Sequence, residues 1–151
     1  MIEIKTHIII NTEKKQLWDV FTRFQEYPLW NTFFQYISGA LEKNSRLFVK
    51  LVLPGKKPMI VKPKVVTIKK EKELRWVGKV IHTRLLKAEH YFILEPMKEG
   101  KIKFIHGEKF TGLLTPFLKI FNIHKKTQEA FNSFNKELKR RVEEAGENSF
   151  K

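Results

Sequence analysis

An α+β fold, in which a meandering antiparallel sheet has one long helix laid across it, is predicted by three observations. Ile2 to Ile10 is a short β-branched run. Phe34 to Thr111 reads as a series of strands punctuated by turn signals. Near the C-terminus Phe117, Phe121, Thr127, Phe131, Phe134, Leu138 and Val142 recur at helical spacing among lysines and arginines. Strands grouped between helices, rather than alternating with them, make α+β the expected class.

The elements follow in order. The first strand ends before Asn11-Thr12, and Thr12 is a candidate N-cap for an amphipathic helix over 13–24 carrying Leu17, Trp18, Val20, Phe21 and Phe24. Tyr27-Pro28-Leu29-Trp30-Asn31 breaks it, with Pro28 suited to the first turn of a second, very short helix. Candidate strands are 34–41, 46–53, 59–69, 73–80, 84–95 and 101–111. Pro54-Gly55, Glu71-Lys72 and Met97 to Gly100 mark turns between them. Pro63 inside one candidate argues for an edge position or a bulge. Thr115 and Pro116 open the long helix, with a break or change of direction around Asn122-Ile123-His124. Residues 1–147 form one unit without repeat or linker, and 148–151 are expected to fray.

Composition narrows the function. The chain has 151 residues, 42% hydrophobic and 30% charged, with 30 Lys and Arg against 16 Asp and Glu for a net charge of +14. That is enough apolar content for a single packed domain. The absence of cysteine removes disulfides, thiolate metal sites and cysteine nucleophiles. No apolar run approaches the ~18–20 residues that span a bilayer, and Met1 to Asn11 mixes charge with isoleucine unlike a signal peptide. A cytoplasmic location is therefore expected. Seven glycines, none in a phosphate-cradling spacing, and no Gly-x-Ser-x-Gly elbow leave nucleotide chemistry and serine hydrolysis without support; no cofactor is called for.

Trp18, Phe21, Phe24 and Tyr27-Pro28-Leu29-Trp30-Asn31 resemble the signature of the START-like superfamily, also known as the SRPBCC or Bet v 1-like group (polyketide cyclase/dehydrase and lipid transport). Pro54-Gly55, Met59, Pro63, Leu74 to Gly78, Ala88 to Pro96 and Phe104 to Leu114 extend the likeness over almost the whole chain. The resemblance implies a helix-grip fold: a curved antiparallel sheet of about six to seven strands wraps the long C-terminal helix, two short helices follow the first strand, and a cavity lies between sheet and helix. It also implies a hydrophobic ligand, or a cyclase- or dehydratase-like reaction. The fold alone does not select between them.

Strand alternation nominates the inward side chains. In 84–95 the apolar parity is Leu86, Ala88, His90, Phe92 and Leu94; in 101–111 it is Ile102, Phe104, His106, Glu108 and Phe110. A hairpin with Glu95 opposite Lys101 places Phe92 opposite Phe104, His90 opposite His106, and Ala88 opposite Glu108, about 5 Å apart at Cβ. His90, His106 and Glu108 then form a polar island on an apolar wall, with Trp76 on the same face. Such a set can orient the polar end of a ligand or simply satisfy itself internally. It can also exchange protons, since burial lowers a histidine pKa and raises a glutamate pKa, or bind a divalent cation. The structural or ligand-orienting role is favoured, and no metal is called for. Candidate ligand-binding residues are Trp30, Phe33, Trp76, His90, Phe92, Phe104, His106, Glu108, Phe110, Phe117 and Phe121, and the candidate acid–base residues are His90, His106 and Glu108. His7, His82 and His124 have no comparable surroundings.

Between Lys43 and Lys109 stand eighteen Lys or Arg and six Glu. The basic outer strand face could meet an anionic membrane weakly or act as an interaction surface. Specific nucleic-acid binding is not expected, because lysine predominates over arginine and few aromatics accompany it.

Overall fold

A computed structural model describes residues 1–79, 82 and 84–148. Its order is β1 (Ile2–Asn11), α1 (Lys14–Thr22), a 3-10 turn (Phe24–Glu26), α2 (Tyr27–Trp30), β2 (Phe34–Ser38), β3 (Phe48–Leu51), β4 (Met59–Val61), β5 (Lys64–Lys69), β6 (Glu73–Lys79), β7 (Lys87–Pro96), β8 (Lys101–Thr111), α3 (Thr115–Ile120) and α4 (Ile123–Asn148). The α+β helix-grip expectation describes this arrangement. Among the described residues the strands number eight rather than six or seven, in an antiparallel sheet ordered β1-β8-β7-β6-β5 and a smaller one ordered β2-β3-β4.

Pro63 divides the single candidate strand 59–69 into β4 and β5, which belong to different sheets. With no N–H to donate, it cannot continue a ladder on both sides. Its carbonyl accepts from Leu47 N at 2.9 Å, and Val65 N bonds Ser45 O at 2.9 Å. The segment before β3 thereby ties the small sheet to β5.

Helix α4 lies in the concavity. Ala130, Phe131, Phe134, Leu138 and Val142 are buried against inward-facing Ile4 and Ile10 of β1 and Phe92 and Phe104 of the central hairpin. Helix α1 packs Leu17 and Phe21 beneath the same sheet. The helix reaches Asn148, one residue past the expected domain limit; 149–151, where fraying was expected, lie outside the described residues, as does Val80 at the end of candidate strand 73–80. Among the described residues no helix is long and apolar enough to cross a membrane.

Two caps differ from expectation. The first helix is entered through Glu13, while the Thr12 hydroxyl lies 3.2 Å from Gln16 Oε1. Thr115 is the first residue of α3, and its hydroxyl donates back to the Gly112 carbonyl. The anticipated break of the C-terminal helix falls at Phe121-Asn122, with Asn122 at φ 57° in the left-handed region that asparagine tolerates.

Candidate functional site

The β7–β8 hairpin holds the polar island, in a register different from the one expected. Pro96 pairs with Ile102, so Phe92 faces His106, His90 faces Glu108 and Ala88 faces Phe110. The connection causes the difference: Met97 N bonds Lys101 O at 2.8 Å, and Glu99 and Gly100 both adopt positive φ. The slip preserves the parity of each strand, so every inward side chain stays inward. His90 now has Glu108 directly across from it and His106 on the diagonal.

A polarised hydrogen-bond chain follows. The Thr6 hydroxyl donates to the His106 carbonyl at 3.0 Å, and a carbonyl can only accept. Asn135 Nδ2 must then donate to Thr6 Oγ1 (2.9 Å), which aims Asn135 Oδ1 at His106 Nδ1, 3.2 Å away. His106 therefore carries its proton on Nδ1 and presents a lone pair at Nε2. His90 Nε2, 2.6 Å distant, must be the donor. His90 Nδ1 then faces Glu108 Oε1 at 3.5 Å. A proton on either atom would bridge them. The chain is thus anchored on the backbone and ends at the His90–Glu108 pair.

His106 is fully buried, with Phe131 stacked on it at 3.9 Å between ring centroids. Burial first, and the neighbouring His90 second, hold its pKa well below the usual imidazole range, with the Asn135 bond working the other way. An unfolded histidine titrates near 6.5. Below that pH the unfolded chain binds a proton that the fold refuses, so stability must rise with pH through this window and fall on acidification. Urea unfolding between about pH 7.5 and 5 is expected to show a loss approaching 1.4 kcal/mol per pH unit from this group, about one proton's worth. His106→Phe should flatten the profile; an unchanged slope would place the proton elsewhere.

The pair opens onto a cavity of about 210 Å³ between the two sheets and the start of α4. Phe33, Phe34, Trp76 and Ala88 surround His90 and Glu108 at its inner end, and Met59, Lys79 and Leu118 stand at its outer end. Among the expected binding residues, Phe33, Trp76, His90, Glu108 and Phe110 line this cavity. The others lie elsewhere. His106, Phe92 and Phe104 form the fully buried layer behind it. Trp30 packs on Tyr27 and Phe134 at a separate surface cleft beside Glu137 and Arg140. Phe117 and Phe121 point outward, because the kink at Asn122 turns Leu118 and Ile123 inward instead.

The reading from residues passed over the small sheet's contribution, Val49, Leu51, Leu53 and Val61. Alternation of Leu47, Val49, Leu51 and Leu53 was the available signal. A zinc ion bridging the two Nε2 atoms of His90 and His106 does not fit this geometry. A zinc ion bonded to both Nε2 atoms would hold them roughly 3 Å or more apart, whereas their 2.6 Å separation is that of a hydrogen bond. Among the described residues no cluster of three or more His, Asp or Glu forms a metal-binding group.

No family model matches the sequence, and no curated protein matches it either. Solved structures match the fold. A START superfamily protein from Mycobacterium smegmatis superposes with a TM-score of 0.72 at 15% identity, over 95% of this chain and 98% of that one. An aromatase/cyclase from a Streptomyces species gives 0.75 at 7% identity over 94% and 93%. Norcoclaurine synthase from Thalictrum flavum, in complex with a transition-state analogue, gives 0.72 at 14% over 96% of each chain. At these identities the likeness concerns architecture: the chain has the START-like, or SRPBCC, helix-grip fold.

Proposed function

We propose that the protein binds a small apolar molecule bearing one polar group, with the His90–Glu108 pair as the polar anchor. The supporting observation is an aromatic and aliphatic cavity whose inner end carries the His90–Glu108 pair. Its volume, about 210 Å³, suits a single ring or short chain. Apolar cavities of about 150 Å³ admit benzene, while drug-sized sites need roughly 300–1,000 Å³.

The test uses 4-methylphenol and toluene as probes, followed by Trp76 fluorescence and by methyl shifts in NMR. Saturable one-to-one binding of both is expected, tighter for the phenol. Ala88→Phe, which places a ring in the cavity, should abolish both. Glu108→Leu should weaken the phenol roughly tenfold while sparing toluene, the worth of one hydrogen bond. Failure of either probe to bind the unmodified protein would overturn the reading.

A second reading, proton-transfer catalysis, draws on the polarised chain ending at Glu108. Two proteins of similar fold are named as enzymes, an aromatase/cyclase and a norcoclaurine synthase. A general base at the end of an oriented relay would abstract a proton α to a carbonyl. Deuterium uptake into cyclopentanone in heavy water, lost in Glu108→Gln, would support it; equal uptake by the variant would dismiss it.

A further inference from the structure

Helix α3 is apolar on both sides. Leu114 and Leu118 pack against the core. A surface helix should then be polar on its other face. Instead Leu113, Phe117, Ile120 and Phe121 are 76, 49, 72 and 66% exposed. Their spacing brings them to one side of the helix and the turn leading into it. Lys119 is the charged residue of α3. Met59, also exposed, and Leu118 both line the cavity's outer end, so this uncovered face borders its mouth.

The chain segments that supply Met59, Lys79 and Leu118 to the mouth are one-signed in charge. The segments 53–64, 79–88 and 112–128 carry four, three and three Lys or Arg and not one Asp or Glu. Contacts hold them together: Leu113 N bonds Arg84 O at 3.2 Å, Leu114 N bonds Leu85 O at 2.9 Å, and Lys126 Nζ reaches Pro54 O at 3.0 Å. Sixteen acidic residues lie elsewhere in the chain, including those that neutralise Arg75 on the outer sheet face.

We propose that this face docks on an anionic lipid bilayer, with Leu113, Phe117, Ile120 and Phe121 entering the acyl boundary and the surrounding lysines meeting the headgroups. Apolar side chains ringed by cations are the pattern that interfacial binding rewards. A second copy is disfavoured as the occupant because it would bring the same acid-free basic ring against this one. Nucleic acid is disfavoured because half of the patch, Leu113 and Ile120, is aliphatic and cannot stack on bases as Phe117 and Phe121 could, and the surrounding charge is nearly all lysine rather than arginine. The surface differs from the basic five-stranded sheet, where Ile9 is the exposed large hydrophobic among the described residues. It rests on observations separate from those behind the ligand reading, and cavity binding of 4-methylphenol is scored independently.

The experiment is co-sedimentation of the full chain with phosphatidylcholine vesicles, with and without phosphatidylglycerol, at low and high salt. Binding is expected to the anionic vesicles, weakening with salt. Phe117→Ser/Ile120→Ser should reduce it roughly tenfold, since both side chains leave the acyl boundary. Lys119→Glu should reduce it several-fold. Both sites are exposed, so thermal melts should be unchanged, and Leu29→Ser/Met97→Ser serves as an exposed apolar control that retains binding. Three results would overturn the proposal: no binding to anionic vesicles, binding that survives Phe117→Ser/Ile120→Ser, or binding abolished by Lys5→Glu/Lys101→Glu on the sheet and not by the α3 changes. A dimer in light scattering that Phe117→Ser/Ile120→Ser dissociates would assign the face to self-association and overturn it as well.

Discussion

Phe131→Ala is expected to lower stability by about 3–5 kcal/mol, the cost of deleting a fully packed aromatic ring. For a chain of this size the melting temperature should fall by roughly 6–20 °C. The ring is completely buried and lies flat on His106, with interplanar angle 18°. His90 is 5.0 Å and Phe33 5.6 Å away, centroid to centroid. Few of these contacts can be replaced by collapse, because each partner is itself held: His106 and His90 by the hydrogen-bond chain, Phe33 by its N–H on Asn31 Oδ1. Since Phe33 and His90 also line the cavity, the vacated volume should join it, and a two-ring phenol such as 2-naphthol should gain affinity in the variant. Phe131→Leu, keeping most of the volume, should cost less than about 1.5 kcal/mol. Calorimetry with the three proteins decides it. A loss under about 1.5 kcal/mol for the alanine variant would contradict the packing described.

Asn135→Leu is expected to cost about 1–3 kcal/mol and to reverse the polarity of the chain. Leucine is similar in size, so packing changes little, and the cost is that of a buried donor left without its acceptor. His106 can escape by moving its proton from Nδ1 to Nε2. It then donates to His90, which must accept at Nε2 and carry its own proton on Nδ1, facing Glu108, so that the two rings hold two protons before and after. Imidazole ¹⁵N shifts report this directly: the protonated nitrogen of His106 should switch from Nδ1 to Nε2. Unchanged tautomers would show that Asn135 does not set the chain's direction. Thr6→Val tests the same anchor from the other end and should produce a partial shift, because Asn135 loses its reason to keep Oδ1 toward His106.

Much of this molecule was legible as sequence, and the limits are physical. Inward and outward parities of β7 and β8 were readable because alternation is a property of each strand alone. His90, His106 and Glu108 could therefore be placed on one buried face. Which of them oppose each other depended on the geometry of Met97 to Lys101, where two residues take positive φ. A register shift of this kind leaves the hydrophobic pattern untouched, so no pattern could reveal it. Asn135 was not nominated. A single amide inside an apolar helical stripe looks like an ordinary polar interruption until Thr6, 129 positions away, is brought against it.

Helix α3 makes the same point from the opposite side. Phe117 and Phe121 fit the apolar stripe of one continuous helix with Phe131 and Leu138, and on that reading they belong indoors. The break at Asn122 resets the rotation of α3 about its axis, and the stripe turns to the surface. Local periodicity determined the element order, the α+β class, the buried face of each strand and the residue types at the inner end of the cavity. Tertiary structure alone decided the hairpin register, the direction of the hydrogen-bond chain, the cavity's second wall and the exposure of α3. Those features depend on turns and kinks of a few residues whose dihedral angles rotate or slide whole elements, and periodicity carries no record of such a rotation.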